Sequence, residues 1–438
     1  MQRKFVGTLL TVALLSLPAS ALATDGHFLH GVGAINSAMG GAGVAAPKSL
    51  LGTYYLNPAG LMAFDGTRVE FGFELFKADR TVASTFEPFN MSGSTTSKSE
   101  FVPIPAMAFS VKLNNEKVVL GLGGLSIGGF GVDYPSSTTN PIVSPQPNGF
   151  GQVYSNYGLL KLTPAIAYAV TPKFWLGAAA NVDWATLAVT PMPTAAPDFD
   201  QVSGTAYYAG ASAADGAFGL GFQAGLMYQF NDMIAFGASY SSEQFFEEFT
   251  WNSTVANPNL PTYGTPKEIS FKLNVPAMAT VGFGLTPLPN LTLALDGRYM
   301  FYSSTEGFAL DDQPIMNQDG SVNGFGWENI YSIHAGLEFR PTDNLQLLGG
   351  YNYSQNPIPD SLAMYNVPAP GIVKHHATVG VGVNLSRRFN ITAAYYRAFE
   401  NSGTGPLMTP MGPAGTVTNS MNEHSFLIQF SFATRGGM

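Results

Sequence analysis

The sequence contains no cysteine. Disulfide scaffolds, thiolate metal sites and thiol nucleophiles are therefore excluded. Charge is scarce too. Only 11% of the 438 residues are Asp, Glu, Lys or Arg, against roughly 25% in an ordinary soluble domain. Basic charge is scarcest, with 20 Lys and Arg against 29 Asp and Glu, so there is no basic surface for a phosphate backbone and no nucleic-acid partner is expected. A third lack is long apolar runs. Beyond residue 23 no uninterrupted apolar stretch reaches about 18 residues, which excludes helical membrane spans. Glycine (49 residues) and aromatics (13%) are abundant instead. Few charges, many aromatics and short apolar runs are what alternating strands produce when one face meets lipid and the other a polar lumen.

The first residues read as an export signal. Arg3 and Lys4 precede an apolar stretch over 5–17, and Ala21-Leu22-Ala23 is a small-x-small cleavage site. The expected division is a signal peptide over 1–23, an N-terminal plug over 24–66, a barrel over 67–432 and a tail over 433–438. The plug segment is rich in Gly and Ala and too short for a core of its own, so it must pack against something else.

From Thr67 the pattern turns to period two. Val69, Phe71, Phe73 and Leu75 share one face, with Arg68, Glu70, Gly72 and Glu74 on the other. The pattern recurs at the end, where Phe426, Ile428, Phe430 and Phe432 oppose Ser425, Gln429 and Ser431. Fourteen strands are expected, near 67–79, 100–113, 117–127, 154–170, 174–189, 217–230, 233–247, 268–285, 291–303, 329–340, 344–354, 373–385, 388–400 and 422–432. Their connections alternate between short turns, such as Asn231-Asp232 and Ser386-Arg387, and long loops near 80–99, 128–153, 190–216, 248–267, 304–328, 355–372 and 401–421. One rim of short turns and one of long loops mark an outer-membrane barrel with the short rim in the periplasm. The fold class is all-β, a transmembrane antiparallel barrel of about 14 strands with a plug inside. Pro103 and Pro105 remove ladder donors from the second strand, and the third runs into Gly121, Gly123, Gly124, Gly128, Gly129 and Gly131. Two neighbouring weakened strands predict a defect in the wall.

These residues resemble the FadL/TodX family of outer-membrane transporters. Gly33-Ala34 through Gly43 and then Asn57-Pro58-Ala59 resemble its N-terminal hatch, and residues 118–134 look like its third strand with an inward kink. Residues 331–353, followed by Asn356-Pro357-Ile358-Pro359-Asp360, resemble its late strands and the loop after them. The resemblance implies capture of a hydrophobic molecule at extracellular loops, transfer to an internal pocket, hatch movement and sideways exit at the kink, here Gly128, Gly129, Phe130 and Gly131. It also implies a passive channel for long-chain fatty acids or, by the same route, for aromatic or aliphatic hydrocarbons. Its setting is the outer membrane of a Gram-negative bacterium, with membrane lipid and small hydrophobic molecules as partners. A monomer is expected, without catalysis, cofactor or metal. The chain departs from such barrels in that Phe432 is followed by residues 433–438.

Several candidate residues have ordinary structural readings beside the functional ones. Phe245, Phe246, Phe249 and Trp251 form a capture lip or part of the aromatic girdle. Arg298, His334 and Arg340 share a lumen-facing register with Asp296 and Glu338; they hold a substrate carboxylate or brace the wall. Asn57, Pro58 and Ala59 anchor the hatch to the wall near the kink, or open a helix with Pro at its first turn. His27, His30, His375 and His376 lack a carboxylate at ligand spacing and are read as polar rather than metal-binding. Two other classes remain: a lipid-modifying enzyme, for which no Ser/His/Asn spacing is evident, and a non-specific porin, which a plug disfavours.

Overall fold

The computed structural model describes residues 25–98, 100–113 and 116–434; the expected signal peptide, Asn114-Asn115 of the first short turn and the last four residues lie outside them. The chain forms fourteen barrel strands: β1 (Thr67–Phe86), β2 (Val102–Lys112), β3 (Val118–Tyr134), β4 (Val153–Thr171), β5 (Phe174–Thr190), β6 (Ala211–Gln229), β7 (Ile234–Ser241), β8 (Met278–Leu288), β9 (Leu291–Met300), β10 (Ile330–Thr342), β11 (Leu345–Ser354), β12 (His375–Ser386), β13 (Phe389–Thr409) and β14 (Gly412–Ala433). Each pairs antiparallel with its neighbour in sequence, and β14 closes onto β1, so no main edge is left open. Two short strands, Met91–Thr96 on β1 and Phe245–Phe246 on β6, extend the wall locally.

Alternation positions the side chains as their polarity requires. On β1, Phe73 and Leu75 are exposed on the outer face, while Glu70 and Glu74 are buried inside. On β14, Phe426, Ile428 and Phe432 face outward, and Ser425, Gln429 and Ser431 are buried. The outer belt of large apolar groups meets lipid. No helix of the described residues is long and apolar enough to cross a membrane.

The inner polar groups are buried because residues 25–66 fill the lumen. This segment carries two short helices, α1 (Ala34–Ala38) and α2 (Leu50–Leu56), then a 3-10 turn over Pro58–Ala63. Ser49 caps α2 by accepting from the Gly52 amide at 3.1 Å. With little regular structure of its own, the segment gives its backbone groups to the wall. Asp296 accepts from the amides of Gly43 and Val44 at 2.6 and 3.0 Å. Thr378 accepts from the Gly40 amide at 3.1 Å and donates to the Ala38 carbonyl at 2.7 Å. Gln223 donates to the carbonyls of Tyr55 and Leu56.

Several expected boundaries shift. β13 and β14 run far past the membrane as one hairpin, and β1 continues to Phe86, so much of the expected loops 80–99 and 401–421 is strand. The reason is composition: these stretches are Ser/Thr-rich, polar on the outer face but strand-forming. Outward hydroxyls pair across the ladder, as in Ser402–Ser420 at 2.8 Å and Thr404–Thr418 at 2.9 Å. β8 begins at Met278 rather than 268 because Pro266–Phe271 pairs with Phe249–Thr254 in a separate extracellular hairpin. β7 stops at Ser241 rather than 247, and Phe245–Phe246 pair with β6 as a separate short strand. After Phe432, Ala433 still pairs with Arg68, and the Thr434 amide donates to the Thr67 carbonyl at 2.9 Å.

Candidate functional site: a wall window backed by the plug

The pairing of β2 with β3 runs from Lys112 opposite Val119 only as far as Ala106 opposite Leu125. Beyond Leu125, β3 continues to Tyr134 on β4 alone, with a bulge between Ser126 and Gly128. Higher up the seam closes again, where the Lys98 amide donates to the Asp133 carbonyl and the Asp133 amide to Ser97 Oγ, each at 2.9 Å. Between these ends the wall has a window, and Pro103 and Pro105 stand on its β2 side.

The plug backs this window. Phe28 forms an antiparallel bridge with Gly128. The Leu29 amide donates to the Ile127 carbonyl at 2.9 Å, and the Gly129 amide to the His27 carbonyl at 2.8 Å. The approach is so close that a Cβ on Gly128 would stand 2.3 Å from the His27 carbonyl oxygen. Gly129 has φ 154°, which side-chain-bearing residues rarely adopt. A small recess of about 10 Å³ lies behind the opening, lined by Leu29, Val32, Phe73, Ile104, Ala106 and Leu427, with Ser126 and Glu74 as its polar groups. The Glu74 carboxyl is taken up by the hydroxyls of Tyr396 and Ser425 at 2.7 and 2.6 Å.

Above the plug tip lies a packed aromatic cluster. Phe130 of β3 packs on Tyr157 of β4 at 5.0 Å and on Phe325 at 5.6 Å. Phe308 joins Trp327 at 4.9 Å and His27 at 5.1 Å. Tyr302 accepts from the His27 amide at 3.2 Å. Burial pushes the His27 imidazole down to about 3, so it is neutral among these rings. Of this cluster, only Phe130 and His27 stand out in the sequence. Tyr157, Tyr302, Phe308, Phe325 and Trp327 come from three separate stretches, and only the register and the loop fold bring them together.

Arg298 and His334 converge on the plug. The Arg298 guanidinium donates to the Gly41 carbonyl, stands 3.4 Å from Asp25 Oδ2 and lies over the Tyr55 ring at 5.5 Å. His334 Nε2 is 3.3 Å from the same Asp25 oxygen, and its Nδ1 is 2.8 Å from the Gly40 carbonyl. Asn352 donates to Asp25 Oδ1 at 3.2 Å. Burial pushes the Asp25 carboxyl up, but His334 and Arg298 together outweigh this and hold it well below the usual carboxylate range. Arg340 sits apart, at the periplasmic end. It bonds Glu338 at 2.6 Å, and Lys48 of the plug meets the other Glu338 oxygen at 2.5 Å. Both clusters join plug to wall.

The loop aromatics divide. Phe245 is exposed, while Phe246, Phe249 and Trp251 are buried. Phe249 and Trp251 stack at 6.1 Å, and the Trp251 indole donates to the carbonyls of Leu187 and Ala213 at 3.2 and 3.0 Å. The Asn57-Pro58-Ala59 motif meets β5 and β6 rather than the kink, contrary to expectation. Asn57 Nδ2 donates to the carbonyls of Val44 and Leu226, both at 3.0 Å, and Oδ1 accepts from Ala59 at 3.1 Å, capping the 3-10 turn that Pro58 opens. Gly225 makes room for it, since a Cβ there would stand 2.0 Å from Asn57 Oδ1. Gly131 lies within the β3–β4 ladder, opposite Asn156.

The family model described as outer membrane protein transport protein (OMPP1/FadL/TodX) matches residues 13–407. Among solved structures the chain is similar to the toluene transporter TodX of Pseudomonas putida, at 18% identity and TM-score 0.68 over 93% of this chain and 99% of that one. It is similar to a FadL homologue of Pseudomonas aeruginosa, at 15% identity and TM-score 0.72 over 94% and 100%. The toluene transporter TbuX of Ralstonia pickettii is 21% identical, with TM-score 0.63 over 92% and 99%. At these identities the likeness is one of fold. No curated protein sequence matches the chain.

Proposed function

The chain belongs to the OMPP1/FadL/TodX family of outer membrane transport proteins, and from that premise we propose that it takes up long-chain fatty acids passively and releases them sideways through the β2–β3 window. The observation that carries this reading is an apolar recess opening at a break in the barrel wall, closed from inside by plug residues 27–29. A greasy molecule crossing a watery pore would be solvated at a cost of about 0.8 kcal/mol per methylene. A dry chamber with a lateral outlet avoids that cost.

The proposed sequence begins at the outer loops, where Phe245 offers exposed apolar surface and Phe246, Phe249 and Trp251 continue it inward. The molecule parts the aromatic cluster and displaces the plug tip from Gly128 and Gly129. It then passes Phe130 into the recess by Ile104 and Leu29 and leaves into the bilayer. The Asp25–Arg298–His334 cluster and the Lys48–Glu338–Arg340 cluster hold the rest of the plug while its tip moves. Arg298 becomes available to a carboxylate only when the plug releases it, and Arg340 only when Glu338 does.

Uptake of aromatic or aliphatic hydrocarbons by the same route is the second reading. It is favoured by the aromatic cluster on the path and by the toluene transporters among the similar folds. The test is uptake of radiolabelled oleate and of toluene by cells producing the protein or its Ile104→Arg variant, which fills the recess with a charged side chain. Uptake should fall to the level of cells lacking the protein for whichever compound is the substrate. Full uptake by a correctly inserted variant would exclude the window as the outlet.

A further inference from the structure

We propose that Lys161 and Asp183 seat the polar head of the transported hydrophobe, and that this head both donates and accepts a hydrogen bond: an alcohol, or a carboxylic acid in its protonated form. This rests on the transport reading and narrows its substrate class.

The ladder register sets Lys161 of β4 directly opposite Asp183 of β5. Both face the lumen, 4% and 0% exposed. Neither Asp183 oxygen has a hydrogen-bond partner among the described residues. Burying a carboxylate unbonded costs several kcal/mol, and the other inner acids of this barrel mostly avoid it. Asp25, Glu70, Glu74 and Glu338 each accept from the plug or the wall. Glu423 also lacks hydrogen bonds, but it faces the Arg80 charge, with the His376 ring nitrogen 3.6 Å away. A pair whose only role was to brace two strands would close into contact; Asp183 makes none.

The surroundings suit a head and a tail together. Tyr157 lies four residues up the same face of β4, within electrostatic reach of Asp183, and its hydroxyl is buried and unpartnered. It belongs to the aromatic cluster, where His27 Nε2 is unpartnered as well. On β6 the residue opposite Asp183 is Gly219, and the Phe246 ring lies over it; a Cβ on Gly219 would stand 2.4 Å from that ring. On β3 the residue opposite Lys161 is Leu125, the last before the window. Donor and acceptor therefore stand side by side on the inner wall, between apolar Leu159 and Ala185 on one side and the Thr163–Asn181 pair on the other, one strand from the window. A hydroxyl or a protonated carboxyl satisfies both, donating to Asp183 and accepting from Lys161. A carboxylate anion would face the Asp183 charge, and a hydrocarbon satisfies neither group.

The test uses the full-length protein in lipid nanodiscs, with binding read by tryptophan fluorescence, and n-octane and 1-octanol as probes of equal tail length. The wild type should bind octanol about tenfold tighter than octane, the value of one good hydrogen bond. The double variant Lys161→Met/Asp183→Leu removes both charges at once and leaves no orphaned ion. It should bind octane as the wild type does and lose the octanol preference. A folded double variant that keeps the preference would overturn the proposal, as would a wild type that binds both probes equally. A wild type that binds neither would instead strike the transport reading itself.

Discussion

Adding one methyl group at the kink, Gly128→Ala, should loosen the plug tip without disturbing the barrel. The new Cβ would stand 2.3 Å from the His27 carbonyl oxygen, so the backbones must separate by about 1 Å to reach ordinary contact. β3 is held along its length by β4, whereas the tip is held here by two backbone hydrogen bonds, Leu29 to Ile127 and Gly129 to His27. The tip is therefore the part that gives. Each bond contributes about 1 kcal/mol net. Losing both shifts the docked-to-undocked equilibrium by about 2 kcal/mol, or roughly 30-fold. Hydrogen exchange on the protein in nanodiscs reads this directly. Protection of the Leu29 and Gly129 amides should fall by about that factor, with the β8–β9 and β11–β12 ladders unchanged. Wild-type protection at both amides in a folded variant would refute the argument that strand-like pairing docks the tip.

The Asp25 latch gives a second expectation: Asp25→Ala leaves Arg298 buried without its carboxylate, a change that costs about 3–5 kcal/mol in comparable pairs. Limited proteolysis should then release the N-terminal segment while the barrel stays intact. Lys48→Met should matter far less, by under about 1 kcal/mol, because Lys48 is partly exposed and Glu338 keeps Arg340 and Gln346; a thermal melt indistinguishable from wild type would bear this out. Asn57→Ala removes three hydrogen bonds, so exchange over residues 57–63 should quicken by one to two orders of magnitude, at about 1 kcal/mol per bond. The His27 imidazole falls from 6.5 to about 3 on burial. A docked state that binds fewer protons than the undocked one loses stability as pH falls through that window. Exchange at residues 27–29, corrected for intrinsic rates, should therefore accelerate below pH 6.5; His27→Phe should weaken that dependence and leave the part due to His30, whose imidazole burial pushes down to about 4.

Much of the barrel was legible because lipid on one face and a packed lumen on the other impose strict alternation, which β1 and β14 display residue by residue. The kink was legible because glycine and proline weaken ladders for local reasons. The extracellular extensions were not. In Ser402, Thr404, Thr416 and Thr418 hydroxyls replace apolar groups on the outer face, and the period-two contrast fades although the strand persists. Nor could the site be read in full. Lys161 and Asp183 lie 22 positions apart, and only the β4–β5 register makes them neighbours. Asp25 lies more than 270 residues before the Arg298 that holds it, a distance that no local pattern spans. Asn57-Pro58-Ala59 stood out by composition, but its place against β5 and β6 depends on how the whole plug turns inside the wall.

The most direct test of the outlet is photocrosslinking with a fatty acid that carries a diazirine near its tail end, followed by peptide mapping. If the molecule leaves through the window, the label will fall on Leu29, Ile104 and Phe130. Label confined to the periplasmic rim, around Lys48, Met62 and Arg340, would mean that the molecule travels down the lumen and that the break in the wall is not its exit.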